Sequence, residues 1–331
     1  FLHFSFPDYL CKPMHVIDHL NNVKDLSVSI EIIPPKRGGS VASLHGAIES
    51  ILPFHPPFID VTSHAAEVVW EEQSDGSYKR KVKRKSPGTF GLCAAIKYKY
   101  ELEPVPHILC GGFTKEETED ALIELNYLGI ENILAIRGDK ANPRPVPTDR
   151  SENKYAMDLV RQVTDMNSGK YLDKSMVDPT PTNFCQGVSF YPEKHFEAPN
   201  LKFDLEILKK KQDAGAHYGV SQMFFDTQKY LDYVARAREI GVSMPLIPGM
   251  KIMTSKSHLT NLPAFFHIDL PEELYDRMMA AKTRKEEVQV GIDWAFRQCR
   301  ELLDAGIPYL HFYIMQNTRP FIQLMKQLRK L

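Results

Sequence analysis

Glu31 is an ionisable residue inside an apolar segment. The segment SVSIEIIPP places it between Ile30 and Ile32, which predict a buried β-strand, and Pro34 and Pro35 end that strand abruptly. A carboxylate in such surroundings is costly unless it is paired or protonated. Glu31 is therefore expected either to form an ion pair or to hold a proton inside the fold.

Other titratable and polar side chains follow further apolar runs. They are Thr62, Ser63 and His64; His107 and Cys110; the tripeptide Arg137, Gly138 and Asp139; Tyr191, Glu193 and His195 in YPEKH; and Gln222 and Asp226. Structural roles are open for each: an ion pair at a strand end for RGD, a core histidine for His107, a turn for YPEKH. The histidines and acids could also bind a metal, but no H-x-H or H-E-x-x-H spacing supports this. No G-x-S-x-G elbow indicates a serine hydrolase.

The composition is that of a globular protein without a global charge bias. Of 331 residues, 43% are hydrophobic and 25% charged, and the formal net charge is −1. This charge predicts no attraction for nucleic acid or an anionic membrane, and no apolar run approaches a membrane-spanning length. Five scattered cysteines without a C-x-x-C pair indicate reduced thiols in a cytoplasmic protein. Residues 1–13 lack a basic start and a cleavage site, so we expect an extension outside the core, followed by a single domain over 14–331.

A repeated unit of amphipathic helix, glycine and strand predicts an α/β fold. It occurs around Gly129, Gly215, Gly241 and Gly306, and glycine just past a helix adopts the left-handed cap without steric cost. Eight alternating strand candidates favour a (β/α)8 TIM barrel over a doubly wound sheet, which would favour a G-x-G-x-x-G turn that is absent here. The candidates lie near 28–33, 58–63, 105–110, 131–136, 185–190, 218–223, 245–249 and 309–313.

Two insertions interrupt the predicted barrel. Residues 68–88 are typical of a hairpin with an Asp75-Gly76 turn. Its basic run at 79–85 is either a solvated edge or a rim that attracts a polyanionic ligand. The second insertion is the Pro-rich loop ANPRPVPTDRSENK, and long loops in compact domains are often functional. In a barrel, the polar residues that follow the strands gather at one end and form the active site.

Several motifs, in the same order and spacing, resemble the bacterial methylenetetrahydrofolate reductase family from about residue 14 onward. The similar segments are SIEIIPP, VPHILC, ILAIRGD, YPEKHFEA, DAGAHYGVSQMFFD, IPGM and LHFY. The resemblance implies a (β/α)8 barrel with non-covalent FAD. It also implies reduction of 5,10-methylenetetrahydrofolate to 5-methyltetrahydrofolate with electrons from NADH or NADPH, in one-carbon folate metabolism and methionine biosynthesis.

The chemistry implied by the resemblance requires a proton on the leaving N10 nitrogen of folate. A carboxyl group in apolar surroundings has a raised pKa and can stay protonated near neutral pH. The resemblance therefore assigns Glu31 as the general acid and a substrate contact, and Gln222 as a pterin contact. It assigns Asp139 as a catalytic residue near flavin and folate that favours the cationic intermediate.

The remaining residues implied by the resemblance contact the flavin. They are Thr62, His107, Arg137, Gly138, Asp139, Tyr155, Ala156, Tyr191, His195, Asp204 and Lys211, of which Arg137 and Lys211 suit the anionic diphosphate. Family members form dimers and tetramers, so we expect a homo-oligomer. Larger eukaryotic members add a C-terminal domain that binds S-adenosylmethionine, and because the sequence ends at Leu331 we expect no such domain.

Three other hypotheses stay open at this point. A different flavin barrel, such as a proline-oxidising enzyme, would share the fold and cofactor but not the acid of SIEIIPP. A metal-dependent (β/α)8 hydrolase or lyase would use the histidines and acids as metal ligands. A non-catalytic folate- or flavin-binding protein would use the same pocket without turnover.

Overall fold

The computed structural model describes residues 14–83, 88–138 and 151–329. Its strands are β1 (Ser27–Ile32), β2 (Phe58–Val61), β3 (Glu67–Glu72), β4 (Tyr78–Lys83), β5 (Glu103–Leu109), β6 (Asn132–Ile136), β7 (Cys185–Phe190), β8 (Tyr218–Ser221), β9 (Leu246–Ile247), β10 (Gly249–Met250) and β11 (Tyr309–Met315). Strands β3 and β4 form a separate hairpin, and the other nine are parallel and belong to one sheet.

The sheet closes on itself. Its order is β10-β11-β1-β2-β5-β6-β7-β8-β9, and only Pro248 separates β9 from β10. Proline has no N–H to donate to a ladder, and its carbonyl accepts a bond from His311 N at 3.0 Å. The two ends of the order are thus halves of one interrupted strand. Nine parallel segments fill eight strand positions, and the predicted barrel is confirmed.

The helices lie between the strands and cover the barrel. They are α1 (Val16–Asn22), α2 (Ala42–Ile51), α3 (Thr89–Tyr100), α4 (Lys115–Tyr127), α5 (Ala156–Asn167), α6 (Leu201–Asp213), α7 (Thr227–Glu239), α8 (His258–Phe266), α9 (Glu272–Ala280), α10 (Arg284–Asp304) and α11 (Thr318–Leu328), with a 3₁₀ turn at Leu52–Phe54. Glycines 129, 215, 241 and 306 all have positive φ just past a helix, as predicted. None of the helices in the described ranges combines the length and apolar character needed to cross a bilayer.

The alternation of β1 explains how Glu31 fits into an apolar strand. Val28, Ile30 and Ile32 pack with helix residues in the outer core. Successive strand residues point to opposite faces, so Ser29 and Glu31 point into the barrel. The amino-terminal end of the barrel interior is apolar, and α1 packs against it. Ionisable interior residues therefore lie toward the carboxyl ends of the strands.

The predicted hairpin is confirmed, with a turn at Gly76, whose φ is 78°. Every residue of β4 is exposed, and Lys81 Nζ donates to Glu71 Oε1 at 2.7 Å. The last part of the basic run, at 84–85, and most of the Pro-rich loop lie outside the described residues. Cys93, Cys110, Cys185 and Cys299 are buried and unbridged, while Cys11 also lies outside the description.

Candidate active site

Three ionisable side chains from adjacent strands meet inside the barrel and form what we term the acid cluster: Glu31 of β1, Asp60 of β2 and His107 of β5. Glu31 and Asp60 are register partners in the β1–β2 ladder. His107 Nε2 lies 3.5 Å from Glu31 Oε2 and 3.5 Å from Asp60 Oδ2. All three are buried, with exposed fractions of 9% for Glu31, 0% for Asp60 and 6% for His107. The buried carboxyl group of Glu31 therefore has two polar side chains beside it, as expected for an ionisable group in an apolar strand.

The electrostatics of the acid cluster are governed by desolvation. Burial raises the pKa of Asp60 to about 7, and the nearby His311 partly opposes this shift. Burial lowers the pKa of His107, with Glu31 acting in the opposite direction. A neutral imidazole does not balance a carboxylate charge, so the contacts of His107 are not ion pairs at neutral pH. Neither carboxylate oxygen of Asp60 has a hydrogen-bond partner within the described ranges.

A second group of buried polar side chains continues from the acid cluster along β10 and β11. His311 Nδ1 lies 2.9 Å from Ser29 Oγ, and the Tyr313 hydroxyl donates to the carbonyl of Ser221. Lys251, directly after β10, donates from Nζ to the Tyr313 carbonyl at 2.7 Å. Burial lowers the pKa of Lys251, and Glu31 opposes that shift.

A basic rim, defined here as Arg137, His195 and Lys211, lies at the ends of β6 and β7 and on α6. Arg137 Nη1 donates to Glu197 Oε2, and its guanidinium carbon stands 5.3 Å from the centre of the Tyr155 ring. Glu197 N in turn donates to His195 Nδ1 at 3.2 Å. The contacts join the start of α5 to the loop after β7.

Helix α6 extends this rim with a buried acid and a buried base. Asp204 Oδ2 accepts from His195 N at 3.2 Å, and Lys211 Nζ donates to the Ser189 carbonyl at 2.7 Å. Burial lowers the pKa of Lys211, and Asp204 opposes this. Burial likewise raises the pKa of Asp204, and Lys211 opposes that. The two charges thus support each other in a desolvated setting.

The other predicted site residues lie at the same end of the barrel. Thr62 directly follows β2, and its Oγ1 is buried without a hydrogen-bond partner in the described part of the chain. Tyr191 packs edge-on against His195, with ring centres 4.6 Å apart. Gln222 directly follows β8, and its Oε1 accepts from Met223 N at 2.9 Å. Gly138 has a φ of 91° after β6, and Ala156 is the buried first residue of α5.

Two acids noted in the sequence have structural contacts, and one predicted residue is not described. Glu193 binds Lys229 Nζ at 3.1 Å and accepts from Asp269 N at 2.7 Å. Asp226 caps α7 by accepting from the backbone N of residue 228. Asp139 lies outside the described residues. In the ranges that are described, no group of three or more His, Cys, Asp or Glu is arranged to hold a metal ion.

Asp60, Lys251, His311 and Tyr313 are further polar residues of the site that the sequence motifs do not indicate. A signal existed for Asp60, because it lies two residues before Thr62 in FIDVTSH and strand alternation places both on one face. Lys251 immediately follows the IPGM segment. His311 and Tyr313 stand in LHFYIM, where the same alternation points both inward.

Fold and site together define a (β/α)8-barrel protein with a buried acid cluster and a basic rim at the carboxyl ends of its strands. The family model of methylenetetrahydrofolate reductase matches residues 16–329. The chain therefore belongs to that family, which confirms the resemblance.

Individual relatives agree with this family. The 5,10-methylenetetrahydrofolate reductase of Escherichia coli is 28% identical, over 88% of this chain and 87% of its own length. Methylenetetrahydrofolate reductase 1 of Schizosaccharomyces pombe is 27% identical, over 92% of this chain and 46% of its own length. Methylenetetrahydrofolate reductase (NADH) 1 of Arabidopsis thaliana is 28% identical, over 95% of this chain and 51% of its own length. The chain thus spans about half the length of the two eukaryotic relatives.

A solved structure shares the fold. A Clostridium thermocellum protein that binds two copies of 5-methyl-5,6,7,8-tetrahydrofolic acid superposes with a TM-score of 0.56, at 12% identity. The match covers 95% of this chain and 98% of that one. At this identity the match shows a common barrel only.

Proposed function

We propose that this protein reduces 5,10-methylenetetrahydrofolate to 5-methyltetrahydrofolate, with NADH or NADPH as the electron donor and FAD as the bound cofactor. The observation that carries the proposal is Glu31, a carboxyl group buried inside the barrel of a chain that belongs to this family. The names of the relatives, which include NADH and NADPH enzymes, support a pyridine nucleotide as co-substrate.

The residues present fit a flavin dinucleotide. Lys211 is a buried cation whose ammonium lies against the backbone of β7, and a diphosphate would offer it and Arg137 an anionic partner. The unpartnered hydroxyl of Thr62 is available to a ligand at the end of β2. We propose that these three hold FAD together with His107, Gly138, Asp139, Tyr155, Ala156, Tyr191, His195 and Asp204. FAD, when bound, would supply the chemistry of hydride transfer between the nicotinamide and the folate.

Glu31 performs the proton chemistry of the proposed reaction. Its carboxyl O–H protonates N10 of the folate, the bond between the bridging carbon and N10 breaks, and the bonding electron pair stays on N10. Glu31 becomes a carboxylate and the bridging carbon becomes part of a cationic iminium on N5. In the proposal Asp139 stabilises that cation and Gln222 orients the pterin. General-acid catalysis of this kind is typically worth about 10²- to 10⁴-fold in rate.

The wider setting of the proposal follows the family. We propose that the enzyme works in one-carbon metabolism in the cytoplasm, as a homo-oligomer. Residues 14–331 would form one catalytic domain, and residues 1–13 would be an extension outside the core.

The test is a stopped-flow separation of the two half-reactions on the purified, flavin-loaded protein. NADH or NADPH should bleach the flavin absorbance, and methylenetetrahydrofolate added anaerobically should restore it. The cofactor released by heat should be FAD. A protein that L-proline reduces and folate does not reoxidise would be the alternative flavin barrel. A flavin-free protein with bound zinc would be the metal-dependent alternative.

A further inference from the structure

Asp60 is a buried carboxyl group that the proposed reaction does not use. Its exposed fraction is 0%, and both of its oxygens lack hydrogen bonds to any described residue. Burying a carboxylate without hydrogen bonds strongly destabilises a folded protein. Asp60 lies on the inner face of the barrel, beside the proposed general acid Glu31. The protonation state of Asp60 therefore affects the protonation state of Glu31.

The geometry couples Asp60 to Glu31 through one nitrogen atom. His107 Nε2 lies 3.5 Å from an oxygen of each carboxyl group, so those oxygens are at most twice that distance apart. Within the described residues Nε2 forms no hydrogen bond with either oxygen, and a single ring nitrogen can bond only one of them at a time. Since burial keeps His107 neutral, it cannot neutralise two carboxylates. Two carboxyl groups that share a dry site cannot both ionise readily, and one of them retains a proton.

We propose that Asp60 is a positioning residue that shares one proton with Glu31 across His107 and so keeps Glu31 protonated for catalysis. This inference rests on the proposed function, because it concerns the acid that protonates N10. The shared proton makes Glu31 ready as an acid at a pH where a lone, partly solvated glutamate would be ionised.

A turnover uses the one proton of the pair. Glu31 gives this proton to N10 and becomes a carboxylate, so that both carboxyl groups of the dry site are then ionised. This state is unfavourable, and it favours the return of a proton to the pair. The pair regains one proton from solvent through Glu31, whose side chain keeps 12% exposure.

Other titratable groups surround the pair and act on it in both directions. His311 lowers the pKa of Asp60, and Lys251 interacts electrostatically with Glu31. Cys93, Tyr218 and Tyr313 also interact electrostatically with Asp60, and burial keeps all three neutral by raising their pKa values. Glu31 is therefore the acid with which Asp60 competes for a proton in this group.

The test compares wild type with Asp60→Asn, and with Asp60→Ser in case the first variant folds poorly. The folate half-reaction is followed by stopped flow between about pH 5 and pH 9. In this range the titration of a coupled carboxyl pair can be distinguished from that of a single carboxyl group. The last proton of a coupled pair leaves at a higher pH than the proton of one group alone. The pH at which the rate falls by half should drop by about one unit or more in the variants. At pH values above both midpoints the variants should then be at least about tenfold slower, with the low-pH rate unchanged.

Two controls separate this inference from a structural role. Flavin reduction by the nicotinamide should keep its wild-type rate and pH profile in both Asp60 variants. Glu193→Gln, which removes a different buried carboxyl bound to Lys229 and Asp269, should leave the folate pH midpoint unchanged. An unchanged midpoint in the Asp60 variants would overturn the proposal and make Asp60 a structural residue.

An infrared titration tests the shared proton independently of turnover. The carbonyl band of the protonated carboxyl group should disappear at a lower pH in both Asp60→Asn and Glu31→Gln than in wild type. Either substitution removes one of the two carboxyl groups that share the proton. A band that vanishes entirely in Asp60→Asn but keeps its wild-type midpoint in Glu31→Gln would show that Asp60 holds its own proton, against the proposal. If folate failed to reoxidise the wild-type flavin, the proposed function would fall, while the infrared result would still decide whether the proton is shared.

Discussion

Glu31 is tolerated in an apolar strand because the two faces of β1 meet different surroundings. The outer face packs on helices through Val28, Ile30 and Ile32, whereas the inner face meets Asp60 and His107 on the neighbouring strands. Each strand alone would place a single polar group in an apolar run. The side-by-side pairing of β1, β2 and β5 brings these three polar groups together into one site.

Glu31→Gln should separate the half-reactions of the proposed enzyme. Glutamine is nearly isosteric and cannot protonate N10, whereas flavin reduction by the nicotinamide needs no such acid. We expect full flavin content, near-normal bleaching by NADH, and folate-dependent reoxidation slowed by about 10²- to 10⁴-fold. Stopped-flow absorbance measures both steps.

Glu31→Asp serves as the matched variant, because it keeps an acid but withdraws it by one methylene. It should retain more folate activity than the glutamine variant. Equal reoxidation rates in wild type and Glu31→Gln would make Glu31 a buried structural acid. A joint loss of both half-reactions with the flavin would instead place its role in holding the site.

At the scale of single residues, the sequence motifs indicate Glu31 and His107 as candidates but do not indicate which side chains of other strands lie beside them. Glu31 and His107 were predicted, and they contact each other. Asp60 and Lys251 were missed, because their importance follows from the barrel register rather than from their own neighbours. The roles of all these residues stay predictions.

Helix α6 positions the buried base of the proposed flavin site. Lys211→Met should weaken flavin binding because it removes the desolvated cation while keeping an unbranched chain of similar length. We expect at least about a tenfold rise in the flavin dissociation constant, since a charge-assisted hydrogen bond is worth on the order of 1.5–3 kcal/mol. Fluorescence titration of the apoprotein with FAD measures it.

Lys210→Met is the matched control on the same helix, because Lys210 is exposed. It should bind FAD as wild type does. In the absence of flavin, the midpoint of thermal unfolding should be lower for Lys211→Met than for the control, because the buried carboxyl group of Asp204 loses its basic partner. Equal flavin affinity in the two variants would exclude Lys211 from the flavin site.

Helix α10 packs closely on the segment that carries Lys251. A Cβ at Gly291 would stand 1.7 Å from the carbonyl oxygen of Met253, so only glycine permits this approach. Gly291→Ala should destabilise the protein by about 1–3 kcal/mol or more, despite the better helix propensity of alanine. Urea unfolding measures the change in the free energy of unfolding.

Gly46→Ala supplies the opposite expectation from the same chemical change. Gly46 lies in the middle of α2, and a Cβ there would have no heavy atom within 4 Å. Alanine should stabilise that helix by about 0.8–1 kcal/mol. If Gly291→Ala were as stable as Gly46→Ala, the backbone contact with Met253 would not constrain α10.

Most helices and strands could be predicted from the local sequence. The capping box of Thr114 and Glu117 is present at the start of α4, and the four predicted glycines end their helices. The interruption of the seventh strand at Pro248 was not predicted, since the apolar run 245–249 reads as continuous. Its cause is physical: the proline cannot donate in the ladder, yet both flanking pairs form with different neighbours.

On the scale of the whole molecule, the fold removes several histidines wholly or partly from water, some inside the barrel and some at the joints between elements. Burial lowers the pKa of His19, His107, His217, His258 and His311. Between the ordinary value of 6.5 and these lowered values, the unfolded chain binds more protons than the folded one. Stability supplied by these histidines is therefore present above pH 6.5 and is lost as the pH falls. Asp60 acts in the opposite sense, because its pKa is raised to about 7 by burial.

His217 tests this balance at the end of the barrel away from the acid cluster. Its Nδ1 accepts from Gln186 N at 3.0 Å, a bond that protonation of that nitrogen would break. In His217→Asn the amide oxygen can accept the same bond without titrating. Unfolding free energies measured by urea between about pH 7 and pH 5 should therefore fall less steeply than in wild type, by less than about 1.4 kcal/mol per pH unit since the side chain is only partly buried. Asp60→Asn should make the fall steeper, because it removes a group that gains stability over the same range. Parallel curves for the three proteins would mean that these buried groups keep the same proton affinity in the folded and unfolded chain.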